Sequence, residues 1–282
     1  MNSVKSLKKI YDIVNILTLV TMGLLLLCFC FSFDSQNGYL IQSPLTLAFT
    51  VAYVAGIVVS VASIFVPSEF DVLKSPDEIS GRAKVYYATN SAACILIGML
   101  GFFLTNDVND VHTTLVAGVG AILFGIFIAL LLTRGGYSFK VVKLLFLFLS
   151  ISLPIILALG NTRNYIHHIN SIENILCVLF SISFLLYILN EAKRLCKGIH
   201  PTWHLASMLM TYVTGFSLSG AYLLAFIFDT VTEGYRFYQM LIIFVVSAFM
   251  SIEMKHFLYT LTPESKINWL KKQAEAKNEN TQ

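Results

Sequence analysis

Charge is what this sequence has least of. Only 12% of its 282 residues are Asp, Glu, Lys or Arg, while 56% are hydrophobic. Soluble domains carry about 25% charged residues, so a chain with half that share needs a solvent other than water for most of its surface. Long polar segments are also scarce, and no internal loop reaches the ~50 residues of a small soluble domain. A built-in ATPase, kinase or DNA-binding module is thereby excluded. No glycine-rich phosphate cradle is present, and no Ser, Cys or His cluster specifies a nucleophile. The five cysteines, Cys28, Cys30, Cys94, Cys177 and Cys196, are scattered rather than paired. They read as small apolar residues. Cys28 and Cys30, two positions apart, point to different sides of a helix and so cannot jointly hold a metal.

What is there in quantity is apolar sequence in segments of about 20 residues, the length that crosses a bilayer as a helix. Eight can be read: Ile10–Ser32, Pro44–Val66, Val85–Leu104, Thr113–Leu132, Val141–Leu159, Ile169–Leu189, Leu205–Ile227 and Phe237–Phe257. The expected fold is all-α, a bundle of eight transmembrane helices forming one domain over residues 1–257. Residues 258–282 are expected to form a short cytoplasmic tail, amphipathic where Ile267, Trp269 and Leu270 stand among lysines. The longest internal loops are expected at Pro67–Lys84 and Asn190–His204.

Lys and Arg are retained on the cytoplasmic side of spans. Under this division 17 of the 19 basic residues fall on one side, which also holds both termini, and only Arg163 and Arg236 on the other. The chain is expected to have cytoplasmic termini and a first span that is an uncleaved anchor. The net charge of +3 is then a topology signal; no basic stretch is interleaved with aromatics as a nucleic-acid surface would be.

Small residues recur at helical spacing, and in lipid such faces let helices approach closely. Ala48, Ala52, Gly56 and Ser60 mark the second span; Ala117, Ala121 and Gly125 mark the fourth. The seventh carries Ser207, Thr211, Gly215 and Ser219, followed by Tyr222. Gly56, Ala121, Gly125 and Gly215 are expected to serve helix packing. Thr211, Ser219 and Tyr222 could instead line a polar cavity. Pro154, midway along the fifth span, removes a backbone donor and should kink it. Trp203, Tyr11, Tyr86, Tyr87, Tyr187, Tyr235 and Tyr238 fall near span ends, where amphipathic rings anchor at the interface. A four-plus-four repeat is permitted by the even span count and by the matching positions of the two longest loops.

Ionisable residues inside spans are rare and functional by default. Glu173 and Glu191 are eighteen residues apart, five turns of helix, and so share one face of the sixth span with Cys177 and Tyr187. A carboxylate at each mouth of one face suits a cation or proton pathway. The plainer alternatives are a local Glu191–Arg194 pair and a Glu173 that reaches headgroups. Glu253, about a turn inside the eighth span, is expected to pair locally or with Arg194 or Lys193. Asp12 and Asn15 are expected near the basic end of the first span. His200 reads as a helix cap and His204 as an interfacial residue. No spacing completes a metal set with them, because zinc wants three or four convergent ligands.

Residues 187–194, Tyr-Ile-Leu-Asn-Glu-Ala-Lys-Arg, lead to Pro201 and then to a span holding Thr214-Gly215 and Ser217-Leu218-Ser219-Gly220. This pattern resembles uncharacterised multi-span membrane proteins of anaerobic Gram-positive bacteria, whose sixth span often ends in Tyr-Glu-Ala-Arg. Glu191, Ala192 and Arg194 correspond, whereas Asn190 stands at the tyrosine position and Lys193 at the arginine position. The resemblance implies a multi-pass protein of a bacterial cytoplasmic membrane and no particular activity. It draws attention to the end of the sixth span around Glu191 and Arg194.

The functional expectation is a transporter or permease of a small solute or ion, with no enzymatic role, cofactor or metal. The alternative is an accessory protein packed against another membrane complex. The bilayer is the expected partner, with a membrane protein or a second copy as possible others and nucleic acid excluded.

Overall fold

A computed structural model of the chain describes residues 2–34, 39–66, 81–104, 111–133, 137–164, 172–228 and 234–261. Apart from a two-residue antiparallel pairing of Phe33–Asp34 with Tyr39–Leu40, it is a helical bundle in which eight helical segments are long and apolar enough to cross a membrane. They comprise α1 (Asn2–Phe31), α2 (Pro44–Ala62), α3 (Gly81–Leu104), α4 (Val111–Leu131), the pair α5 (Tyr137–Leu149) and α6 (Ser152–Asn164), α7 (Ile172–Cys196), α8 (Pro201–Ile227) and α9 (Gly234–Thr260). Of the tail expected at residues 258–282, Leu258, Tyr259 and Thr260 continue α9, and residues 262–282 lie outside the described residues.

The outward faces are apolar. Ile13, Ile16 and Val20 on α1, and Leu47, Val51, Val54 and Val58 on α2, are exposed at helical spacing. So large an exposed apolar surface needs a cover other than water, and eight helices of membrane-crossing length make lipid that cover. The protein is a multi-pass integral membrane protein.

The centre of the bundle is α8. It packs along α1, α2, α7 and α9, and α9 in turn packs on α3 and α4. Close approach of its neighbours is helped by small residues, and α8 carries Ala206, Ser207, Thr211, Thr214, Gly215, Ser217, Ser219, Gly220 and Ala221, all buried, among larger buried side chains such as Met208 and Tyr212. At Gly215 an added Cβ would run into Ser247 of α9 and come within 2.6 Å of the Phe180 ring of α7. The same logic ties α3 to α4: a Cβ on Gly98 would lie 2.6 Å from the Gly118 carbonyl, and one on Gly118 would lie 2.7 Å from the Gly98 carbonyl. Tyr238 of α9 lies against this contact and donates from its hydroxyl to the Gly98 carbonyl at 3.3 Å. Ser91 adds a hydrogen bond to the Gly125 carbonyl at 2.8 Å. Gly56, Ala121, Gly125 and Gly215 are all buried between helices.

The fifth span breaks where Pro154 predicts disturbance. Helix α5 ends at Leu149 and α6 starts at Ser152, with Pro154 in its first turn. The Ser150 carbonyl, which a residue at 154 would normally bond, accepts instead from the Leu153 amide at 3.1 Å.

One boundary departs from expectation in a way that matters for the site. The loop expected from Asn190 to His204 is almost wholly helical, with only Lys197–His200 between α7 and α8. Gly198 makes the tight turn possible with φ 88°, and its amide caps the Lys193 carbonyl at 2.9 Å. Pro201 then opens α8 at a position where its missing N–H costs nothing. The matching of long loops that permitted a four-plus-four repeat is therefore lost. Packing does not repeat either, since α7 runs along α8 while α2 does not run along α3.

Candidate functional site

The extra turns on α7 and α8 carry charge into the interior. Tyr187, Glu191 and Arg194 follow one another at spacings of four and three on α7, which places them on one face. His204 lies in the first turn of α8, directly across the tight connection. Glu253 comes from α9. All five side chains are buried, Tyr187, Glu191 and His204 completely.

Arg194 is the hub. Its Nε lies 2.7 Å from Glu191 Oε2, and its terminal nitrogen Nη2 donates to Glu191 Oε1 at 2.8 Å and to Glu253 Oε1 at 2.9 Å. Arg is suited to this because its planar fork can serve two carboxylates at once. Tyr187 donates its hydroxyl to the other oxygen of Glu253, Oε2, at 2.5 Å. His204 Nε2 points at both acids, 3.5 Å from Glu191 Oε2 and 3.9 Å from Glu253 Oε1. These separations exceed an ordinary N–H···O bond, and neither ring nitrogen of His204 makes a hydrogen bond. Two carboxylates face one guanidinium and one imidazole, and the cluster is neutral only when that imidazole is protonated.

An apolar layer closes the cluster toward the bundle centre. On α7, Phe180 stacks on Phe184 with centroids 5.7 Å apart, and Phe184 on Tyr187 at 6.1 Å. Tyr187 stacks in turn on His204 at 5.8 Å, and Phe257 meets His204 edge-on at 5.3 Å. Phe124 of α4 packs edge-on against both Phe184 and Phe249. In such surroundings the interactions of the cluster are only weakly screened. We expect Tyr187→Phe, which removes the short hydrogen bond to a buried carboxylate, to cost about 1.5–3 kcal/mol, measured as the shift of the unfolding transition in detergent.

The expected site residues separate into three groups. Glu191, Arg194 and Glu253 come together as described. Glu173 is also buried and on the same inward face of α7, but it lies at the opposite end, roughly 27 Å away at 1.5 Å per residue. Phe180 and Phe184 stand between the two acids. Thr211, Ser219 and Tyr222 run along α8 outside the cluster. The Thr211 hydroxyl donates to the Ser207 carbonyl at 2.8 Å and that of Ser219 to the Gly215 carbonyl at 2.6 Å. Tyr222 is buried edge-on to Phe29. The hydroxyls of Thr211 and Ser219 are thus satisfied by their own helix, and all three side chains are buried.

His204 and Tyr187, read from sequence as interfacial, are corrected to fully buried members of the site, because both helices continue past the expected span ends. Tyr11, Tyr87 and Tyr238 are likewise buried, whereas Tyr86 and Trp203 are exposed; the Tyr235 side chain lies outside the described residues. His200 does occupy the N-cap position of α8, but its ring pairs with Thr202 at 2.7 Å rather than capping the backbone. Asn15 accepts from the Tyr212 hydroxyl at 2.8 Å, while Asp12 is exposed. Glu253 has Arg194 as its partner; Lys193 is exposed.

No family model, curated protein or solved structure matches the chain.

Proposed function

We propose that the protein is a transporter or permease of a small solute or ion, and that the Glu191–Arg194–Glu253–His204 cluster is its working site. The observation that carries this reading is the burial of Glu191, Arg194, Glu253 and His204 together between three spans. Replacing a buried ion pair by well-packed apolar side chains is often neutral or stabilising, so stability alone gives no reason for such a cluster. Ionisable residues inside a membrane protein mark ion and substrate paths. The two closed features, the aromatic layer and the packed α8 stripe, fit a conformation in which the path to the Glu173 end is shut.

The membrane in this reading is the bacterial cytoplasmic membrane, with both termini in the cytoplasm. The distribution of Lys and Arg supports that orientation, and the resemblance at the α7 end supports the bacterial setting. The cluster then lies near the cytoplasmic ends of α7, α8 and α9. No enzymatic role is assigned.

The test is flux into proteoliposomes across a panel of inorganic ions and small solutes. Glu191→Gln keeps the side-chain volume and removes the charge; at equal incorporation it is expected to reduce flux at least tenfold. Wild-type flux in that variant would remove Glu191 from the mechanism.

A second reading, an accessory protein without turnover, is favoured by one observation: aromatic rings fill the interior between the cluster and Glu173. Cross-linking in native membranes followed by purification separates the two. A stoichiometric companion protein supports the accessory role, and recovery of the chain alone or as its own oligomer supports transport.

A further inference from the structure

Glu191, His204 and Glu253 each offer one donor atom, and these atoms all lie within 4.8 Å of one another. Donors held at ~2.0–2.2 Å around a tetrahedral ion stand roughly 3.3–3.6 Å apart. The His204–Glu191 and His204–Glu253 separations of 3.5 and 3.9 Å are close to that spacing and too long for good hydrogen bonds. A histidine buried without a hydrogen bond from either ring nitrogen is costly. Its Nε2 nevertheless faces two carboxylate oxygens.

We propose that these three side chains form a binding site for a divalent metal ion, and that Arg194 and the ion occupy it in turn. The same oxygens that face His204, Glu191 Oε2 and Glu253 Oε1, are the ones the guanidinium now holds. Arg194 is a tethered cation standing where a free cation would sit. It is also the member nearest to solvent, with 7% of its side chain exposed against 0% for Glu191 and His204 and 1% for Glu253. In this exchange Arg194 turns out of the cluster toward the side of Lys193 and Lys197, both exposed.

Charge balance allows the exchange. A bound ion needs the imidazole neutral. With Arg194 outside and a dication bound, two carboxylates balance it completely. Two oxygen donors and one imidazole suit Mn2+, Fe2+ or Zn2+ better than a thiolate-seeking ion such as Cu+. Three protein ligands leave positions open for water, as sites that must release or exchange a ligand do. The Tyr187 hydroxyl fixes the outer oxygen of Glu253, which keeps Oε1 turned inward; outer-shell partners of this kind orient metal ligands.

The inference rests on the cluster being the transport site, and equilibrium binding is measured separately from flux so that the two can fail independently. Full-length protein in detergent is stripped with chelator and titrated with Zn2+ and Mn2+ by calorimetry. Wild type is expected to bind one ion per chain. Glu191→Gln, Glu253→Gln and His204→Gln are each expected to weaken binding at least tenfold, and Glu173→Gln to leave it unchanged. Arg194→Gln is expected to bind at least tenfold more tightly than wild type, because the competing cation is gone, and to gain the larger rise in Tm on adding Zn2+. Absence of saturable binding, or binding that Glu191→Gln and Arg194→Gln leave unaltered, overturns the site. Should Arg194→Gln yield no folded protein, X-ray absorption of Zn2+-loaded wild type decides. A shell of oxygen donors with one imidazole supports the site, and sulfur ligation or absence of imidazole overturns it. Flux of other solutes with no metal binding would leave transport standing and remove only the ion.

Discussion

Arg194→Gln is expected to destabilise the protein far more than Glu253→Gln, although the two residues are partners. Without the guanidinium, Glu191 and Glu253 face each other inside the bundle with no counter-charge. Breaking a buried pair in that way costs about 3–5 kcal/mol. Without the Glu253 charge, Arg194 and Glu191 still form a balanced pair through two contacts, and the glutamine carbonyl can still accept from Tyr187. That loss should stay nearer 1 kcal/mol, the net value of an ordinary hydrogen bond. Metal-free thermal unfolding of both variants in the same detergent checks the order. Equal losses would mean that charge balance is not what holds the cluster.

Gly215→Ala is expected to cost about 1–3 kcal/mol through overpacking, despite the higher helix propensity of alanine. The added methyl must displace Ser247 or the Phe180 ring, and both belong to helices that enclose the cluster. Gly215→Leu should not yield a folded bundle. Gly23 is the internal control, because nothing lies within 4 Å of a Cβ placed there. Gly23→Ala should be neutral or slightly stabilising by propensity alone. Size-exclusion profiles and unfolding midpoints of the three variants separate packing from propensity. Identical behaviour of Gly215→Ala and Gly23→Ala would refute the close approach of α8 to α7 and α9.

The spans were legible because hydrophobicity at lengths of ~20 residues is a one-dimensional signal. Pro154 announced the break in the fifth span for the same local reason. Glu191 and Arg194 could be paired from their spacing, and Glu253 named Arg194 among its possible partners. What could not be read is that helix covers all of Asn190–His204 except Lys197–His200. Charged and aromatic residues at a span end look alike whether they turn to headgroups or inward, and only the tight turn at Gly198 distinguishes the two. With that turn in place, His204 sits one helical step across from Glu191, a relation no single-helix periodicity contains. Tyr187 gave a partial signal, since it shares the face of Glu191. His204 gave only its position in the first turn after Pro201.

The measurement that tests the functional account most directly replaces the three charged residues together. Glu191→Leu, Arg194→Met and Glu253→Leu in one chain remove every ionised partner at once and leave an apolar contact of similar volume. The account predicts a bundle that folds at least as well as wild type and has lost flux in proteoliposomes. A triple variant that transports like wild type would make the cluster structural. One that cannot fold would show that these buried charges hold the bundle together and would remove the main reason for reading them as a transport site.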